Sequence, residues 1–470
     1  MFDFTGTYTD QYQLSMAQVY FRKQQHEEVA VFDYFFRRLP FKGGYAILAG
    51  LEDLLEILQE LRFSKADLDY LKKQDFDSDF LEYLENFRFK GTLRAVQEGD
   101  LVFPSIPVLQ VKAPIIQAQL VETIILNLLN FQTLIATKAS RMRLTARDKV
   151  LLDFGLRRAQ GPGGYLASKA AMVGGFNGSS NVVTGRDFDI PISGTMAHSF
   201  IQSYDDELTA FRDFASVRPK NCVLLVDTYD TLKSGIPNAI TVATEMEEKG
   251  QKLMAIRLDS GDLAYLAKRG RMLLDKAGLE YVQIAVSNQL DEYVIKSLHD
   301  QGAPIDIFGV GTNLVTGNPD AALDGVYKLA YFQGKPRIKL SESLIKTTLP
   351  HEKQVFRMCD DEGKLIGADA ICMRDEDALG VMHDPFEPYK SLSISGLKQE
   401  PLLQKVMENG NLLIKKRSLS EIVEFSKNRL VELPYEYKRF DNPHIYKVGI
   451  SAALKAERDR LIELHKNEHS

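Results

Sequence analysis

His198 stands in "ISGTMAHSF" among glycine, threonine, alanine and serine, just after a proline-bounded stretch of strand character. Imidazole changes charge near neutral pH and serves readily as base or nucleophile, and the small residues before it let a ligand approach the backbone closely. Position alone leaves two readings of equal weight: a catalytic histidine, or a buried one bonded to a neighbour. The other seven of the eight histidines lie in hydrophilic text that fits a solvated surface. Asp227, which ends the apolar run of "CVLLVDTYD", either accepts the Nδ1 proton of His198 and frees the second nitrogen for chemistry, or caps the next helix. Asp230 suits a cap better.

"RLDSGD" brings a cation and two carboxylates to one strand end. The Arg257 guanidinium can donate two parallel hydrogen bonds to a planar carboxylate, which an ammonium cannot. Asp259 and Asp262 are placed to hold ribose hydroxyls or magnesium, and the second equally to cap a helix. "GVGTN" offers Gly309, Gly311 and Thr312 either as a phosphate-binding turn or as a plain glycine turn. Arg141, Arg143, Arg147, Arg157, Arg158 and Lys169 flank "LLDFG" as a helix exterior or a polyphosphate site. Together these residues describe a mouth for a phosphosugar and a small acid.

The elements that must position them come from hydrophobic patterning. "VLLDFG", "CVLLVDTYD", "KLMAIRLDSGD", "EYVQIAVSN" and "IDIFGVGT" are apolar runs, each ending in polar residues or glycine, with helical segments between several of them that close at Gly250, Gly278 and Gly302. This is strand–helix–strand repetition with buried parallel strands. The number of units favours barrel closure over a doubly wound sheet, and in either case working residues belong at the carboxyl ends of strands. That rule selects Asp153, Arg157, His198, Asp227, Asp230, Arg257, Asp259, Ser287, Gly309, Gly311 and Thr312. Residues 1–140 read as an N-terminal α+β domain, 141–340 as the α/β-barrel domain and 341–470 as a smaller C-terminal domain.

Over 470 residues the hydrophobic share is 44%, the charged share 26% and the net charge -6. The composition is that of a globular protein, and the charge gives no general attraction to nucleic acid. Cys222, Cys359 and Cys372 are scattered, without metal-ligand spacing, which points to a reducing compartment. The acidic N-terminus and the absence of a run near ~18 apolar residues lead us to expect a cytoplasmic protein with no membrane span.

"TDQYQLSM", "GLRRAQGPGG", "ISGTMAHSF", "RLDSGD", "VSNQLDE" and "GVGTNLVT" occur in the order seen in nicotinate phosphoribosyltransferases, and the chain resembles that family over residues 8 to 330. The resemblance implies an irregular (β/α) barrel of the type II phosphoribosyltransferase kind, with a sandwich-like N-terminal α+β domain and a small C-terminal domain. It implies formation of nicotinate mononucleotide and diphosphate from nicotinate and 5-phosphoribosyl 1-diphosphate, with magnesium and coupled ATP hydrolysis, in NAD salvage. His198 would be the phosphorylated histidine and Asp227 its partner. Tyr12, Thr195 and Arg257 would contact nicotinate, with Asp153, Arg157 and Asp259 also at the substrate. Gly309, Gly311 and Thr312 would hold the 5′-phosphate, and Arg141 and Lys169 would serve as further phosphate ligands. A homodimer is implied, with Tyr12 reaching the partner's site; the metal ligands are left unassigned.

Two departures stand out. Gly163 occupies a place where the family more often has aspartate. Asp153 lies in a motif that, in the related nicotinamide enzyme, supplies an acid to the substrate amide, which makes nicotinamide the closest competing substrate. A silent pyridine-nucleotide sensor and a glycoside hydrolase are rivals from other classes, and the latter needs two facing carboxylates that no spacing reveals.

Overall fold

Six parallel strands fill the middle of the chain in the computed structural model, which describes residues 4–341, 346–387 and 389–467. They pair in the order Gly178–Ser179, Val150–Asp153, Ile307–Val310, Gln283–Ser287, Ala255–Leu258, Val223–Leu225. Ile307 lies opposite Val150, Ala285 opposite Ile307, and both Gln283 and Val223 opposite Ala255. This register brings the carboxyl ends of the strands to one edge. Leu152, Val223, Ala255, Ala285 and Ile307, one side chain from each of five strands, form a single buried cluster. Near-continuous apolar strands are what a sheet covered on both faces requires.

The architecture is mixed α/β. A closed barrel was the expectation, but among the described residues no ladder joins the two edge strands. Those edges, two and three residues long, carry too few backbone groups to close a ring. Helices Ile236–Glu247, Leu263–Lys276 and Glu292–Asp300 connect the strands. Gly250, Gly278 and Gly302, just past them, are left-handed at φ 69°, 74° and 66°. Asp230 and Asp262 cap helix starts by accepting backbone N–H groups, and so take the structural alternative.

The chain divides into two compact units, residues 138–321 and residues 1–137 with 322–470. The C-terminal third is therefore no separate body: strand Gln404–Glu408 pairs with Thr92–Ala95, and Gly325–Phe332 pairs with Val29–Phe36, in one seven-stranded sheet. Strand edges near the start of the sequence are completed by segments near its end. A six-stranded sheet in the same unit buries Arg357, whose guanidinium meets Asp369 Oδ1 and Oδ2 at 3.0 and 2.9 Å, Asp100 Oδ1 at 2.7 Å and the Leu101 carbonyl at 2.7 Å. Burial alone would lower its pKa, but the two carboxylates raise it well above the usual value.

Ile115–Ala146 is long and apolar enough, by length and composition, to cross a membrane, contrary to expectation. Its most apolar window is 67% buried within the fold, as in a core helix. The three cysteines are free and buried, and burial pushes the Cys222 and Cys372 thiols up to about 12.

Candidate active site

A cavity of about 670 Å³ opens at the carboxyl ends of the parallel strands, inside the 138–321 unit. That volume suits a small-molecule ligand. Arg157, Thr195, His198, Arg257, Asp259, Ser287, Gly309, Gly311 and Thr312, all singled out from the sequence, line it. Gly309 is there for space: a Cβ would stand 2.4 Å from the Phe154 ring, itself part of the wall.

His198 opens the short helix His198–Gln202 and is half-buried. Its Nδ1 lies 3.0 Å from Thr228 Oγ1, while Nε2 is 4.0 Å from Asp227 Oδ1 and 3.9 Å from Asp259 Oδ2. The expected Nδ1 partner, Asp227, is therefore replaced by Thr228, and Asp227 faces the other nitrogen. The reason is that Asp227 Oδ2 is engaged by the Asp259 N–H at 2.7 Å and the Ser260 hydroxyl at 2.6 Å. The side chain is 1% exposed, and its Oδ1 is buried with no hydrogen-bond partner among the described residues. An unsatisfied buried carboxylate oxygen costs free energy and needs a counterpart. Nothing is in contact range of a Cβ at Gly194, which also lines the cavity.

Arg257, on Ala255–Leu258, donates from Nη1 to Thr195 Oγ1. Its Nε is buried without a partner among the described residues. Burial lowers the pKa of this guanidinium, Arg157 adds to that, and Asp259 and Asp227 oppose it. Asp259 Oδ1 in turn accepts from the Ser287 hydroxyl. The wall thus holds a cation with a spare N–H, beside a carboxylate and an imidazole.

Other expected residues lie elsewhere. Asp153 is fully buried behind the wall, where it accepts from Gly155 N at 2.8 Å, Ser168 Oγ at 2.6 Å and Ser179 Oγ at 2.8 Å. Burial raises its pKa against these three hydrogen bonds. It does not reach the cavity as a substrate contact; it anchors the 154–158 loop. Arg141 is 2% exposed and pairs with Glu292 Oε1 at 2.9 Å, beside Lys138, whose Nζ is 2.6 Å from Oε2. Lys169 is buried with its Nζ 5.1 Å from the centre of the Phe188 ring. Neither cation lines the cavity, because helical spacing turns both inward. Tyr12 belongs to the other unit, on Gln11–Arg22, and is 51% exposed.

Phe154, Ser180, Asn288 and Gln289 also line the cavity and were not selected from the sequence. Ser180 follows a strand of only two residues, which leaves no apolar run to flag it. Asn288 and Gln289 directly follow "QIAVS", so the strand-end rule reaches them if extended by two residues. No group of three or more metal-binding side chains occurs among the described residues.

A mixed α/β enzyme, with its site at the carboxyl edge of a parallel sheet and cations ready for an anionic substrate, is the class these features define. The nicotinate phosphoribosyltransferase (NAPRTase) family matches residues 150–386, and its N-terminal and C-terminal domains match residues 7–130 and 352–457. The nicotinate phosphoribosyltransferase of Bacillus subtilis (strain 168) is 43% identical over 460 residues, 96% of this chain and 93% of that protein. The solved structure of human nicotinic acid phosphoribosyltransferase superposes with a TM-score of 0.86 at 33% identity, covering 96% of this chain and 99% of that one. The fold is also shared with nicotinate-nucleotide pyrophosphorylase from Pyrococcus furiosus, at a TM-score of 0.72 and 24% identity, over 91% and 95% of the two chains. The chain belongs to the nicotinate phosphoribosyltransferase family.

Proposed function

We propose that the protein transfers the phosphoribosyl group of 5-phosphoribosyl 1-diphosphate to nicotinate, giving nicotinate mononucleotide and diphosphate for NAD salvage, with ATP hydrolysed in step. The observation that carries this reading is Arg257: held by Thr195, with a buried Nε–H that meets no partner among the described residues, it belongs to the wall of the cavity that His198 lines. A guanidinium so placed fits the planar carboxylate of nicotinate and orients the ring.

The pyridine nitrogen attacks C1′ as the C1′–oxygen bond to diphosphate breaks. Positive charge builds on the ribose, and the bond electrons leave with the diphosphate. The protein's part is placement and charge stabilisation. Asp259, backed by Ser287, faces the ribose; Gly309, Gly311 and Thr312 take the 5′-phosphate; Arg157 lies towards the diphosphate. His198 is the phosphoryl acceptor: in the tautomer whose Nδ1–H donates to Thr228 Oγ1, the Nε2 lone pair is free to attack the γ-phosphorus of ATP as ADP departs. Water later cleaves the N–P bond. A phosphoryl group on Nε2 would sit against Asp227 and Asp259, and that repulsion is the means by which phosphorylation shifts the state of the site.

Magnesium fits this donor set as an ion held chiefly by substrate phosphates and water, with Asp227 and Asp259 the available carboxylates. When bound, it shares the charge of the leaving diphosphate. The five-strand cluster is consistent with the irregular barrel of the type II kind. Tyr12, exposed on its helix, is proposed to serve the site of a second copy in a homodimer. The buried thiols suit a cytoplasmic setting.

The test is mononucleotide formation with magnesium, from nicotinate or nicotinamide, with and without ATP. Product from nicotinate, enhanced by ATP and uncoupled from it in His198→Ala, is expected. Product only from nicotinamide would overturn the reading, and the engagement of Asp153 behind the wall argues against that outcome.

A further inference from the structure

We infer that Asn313 is a positioning residue for the phosphoribosyl substrate, holding the loop Asn288–Leu290 against the turn Gly309–Thr312. Asn288 and Gln289 have φ of 83° and 47°, a left-handed conformation that side chains beyond glycine rarely adopt. Two such residues in succession on the cavity wall persist only where surrounding structure holds them. The Asn313 carboxamide supplies that restraint. Its Nδ2 donates to the Gln289 carbonyl at 3.1 Å and the Leu290 carbonyl at 3.2 Å. Its Oδ1 accepts from Asn318 Nδ2 at 3.1 Å, which fixes the amide so that both hydrogens face the loop.

The clamp joins two parts of the wall. Asn313 directly follows Thr312, and Ser287, directly before the loop, donates its hydroxyl to Asp259. One side chain therefore ties the turn proposed for the 5′-phosphate to the strand end that orients the ribose-facing carboxylate. Asn288 and Gln289 line the cavity, and their carboxamides are neutral groups that both donate and accept and so match sugar hydroxyls and phosphate oxygens. Asn313 does not line the cavity and acts through these neighbours. The inference rests on the phosphoribosyl-transfer reading above.

The experiment titrates 5-phosphoribosyl 1-diphosphate with magnesium into the wild-type protein, Asn313→Ala and Asn313→Asp, and measures both Michaelis constants. Alanine removes the two donors, and aspartate keeps the shape but turns an acceptor towards two carbonyls. Affinity is expected to fall about ten-fold in the alanine variant and further in the aspartate variant, the factor that the loss of about 1.4 kcal/mol gives. The Michaelis constant for phosphoribosyl diphosphate rises in step while that for nicotinate stays within about two-fold. Unchanged affinity in both variants, or an equal rise in both constants, overturns the inference. Asn313→Ser, which keeps one donor, carries the same test with an intermediate loss if the alanine variant does not fold. Wild-type protein that binds the diphosphate but makes no nicotinate mononucleotide overturns the parent reading alone, and wild-type protein that does not bind it overturns both.

Discussion

Arg357 and Arg257 are both arginines on strands, each under the influence of two carboxylates, yet they do opposite things. Arg357 is fully buried, and each of its three nitrogens meets an acceptor among Asp369, Asp100 and the Leu101 carbonyl. Arg257 has one side-chain partner, Thr195, and a buried Nε that meets nothing among the described residues. The carboxylates around Arg357 outweigh its desolvation and raise its pKa, whereas desolvation prevails at Arg257 and lowers it. A satisfied guanidinium holds a fold together; one with donors to spare holds a place for an anion.

That contrast is broken most severely at Arg357. Arg357→Ala leaves the buried Asp369 carboxylate without its cation, while Asp100 keeps Arg429, and should cost about 3–5 kcal/mol of stability, read as a shift in the urea midpoint. Arg257→Ala should leave the midpoint almost where it was and lower kcat/KM for nicotinate about 100-fold. Equal losses of stability in the two variants would erase the distinction. Next in size, Gly309→Ala drives a methyl group into the Phe154 ring and should cost about 1–3 kcal/mol, with a raised Michaelis constant for phosphoribosyl diphosphate as the ring is displaced. Arg257→Lys sharpens the comparison further: charge stays, the planar fork goes, and the Michaelis constant for nicotinate should rise about ten-fold with little change in thermal midpoint.

Asp153 gives the smallest expected effect, and its sign is fixed by burial. Its folded pKa lies above the ordinary 3.8, so the stability it contributes is complete below that pH and is lost as pH rises through the raised value. Asp153→Asn does not titrate. The wild type should therefore compare more favourably with this variant in acid than at pH 7, in melting curves taken across that range; a constant difference would remove Asp153 from the pH response.

The strand-end rule found eight residues of the wall because it needs only the place where an apolar run stops. It failed where neighbours had to be told apart. Successive residues leave a strand on opposite sides, so Asp153 turns inward while Phe154 lines the cavity, and Asp227 is drawn to the Asp259 N–H and the Ser260 hydroxyl while Thr228 takes Nδ1 of His198. Arg141 and Lys138, three apart on one helical face, point together at Glu292, which a run of basic residues does not disclose. The parallel strands were legible from their apolar runs. The union of the chain's two ends was not, since local pattern says nothing of a partner hundreds of residues away. His469 lies outside the described residues.

That union sets a timetable for synthesis. Strand Thr92–Ala95 pairs with Gln404–Glu408, roughly 300 residues later, so at about 5–20 residues per second its edge waits about 15–60 s for the partner to be made. The 138–321 unit is a continuous stretch of chain and emerges whole within that interval. The nascent protein thus carries an unpaired strand edge for most of its translation, and the seven-stranded sheet cannot be completed before its last strand, Asn411–Leu412, has been made.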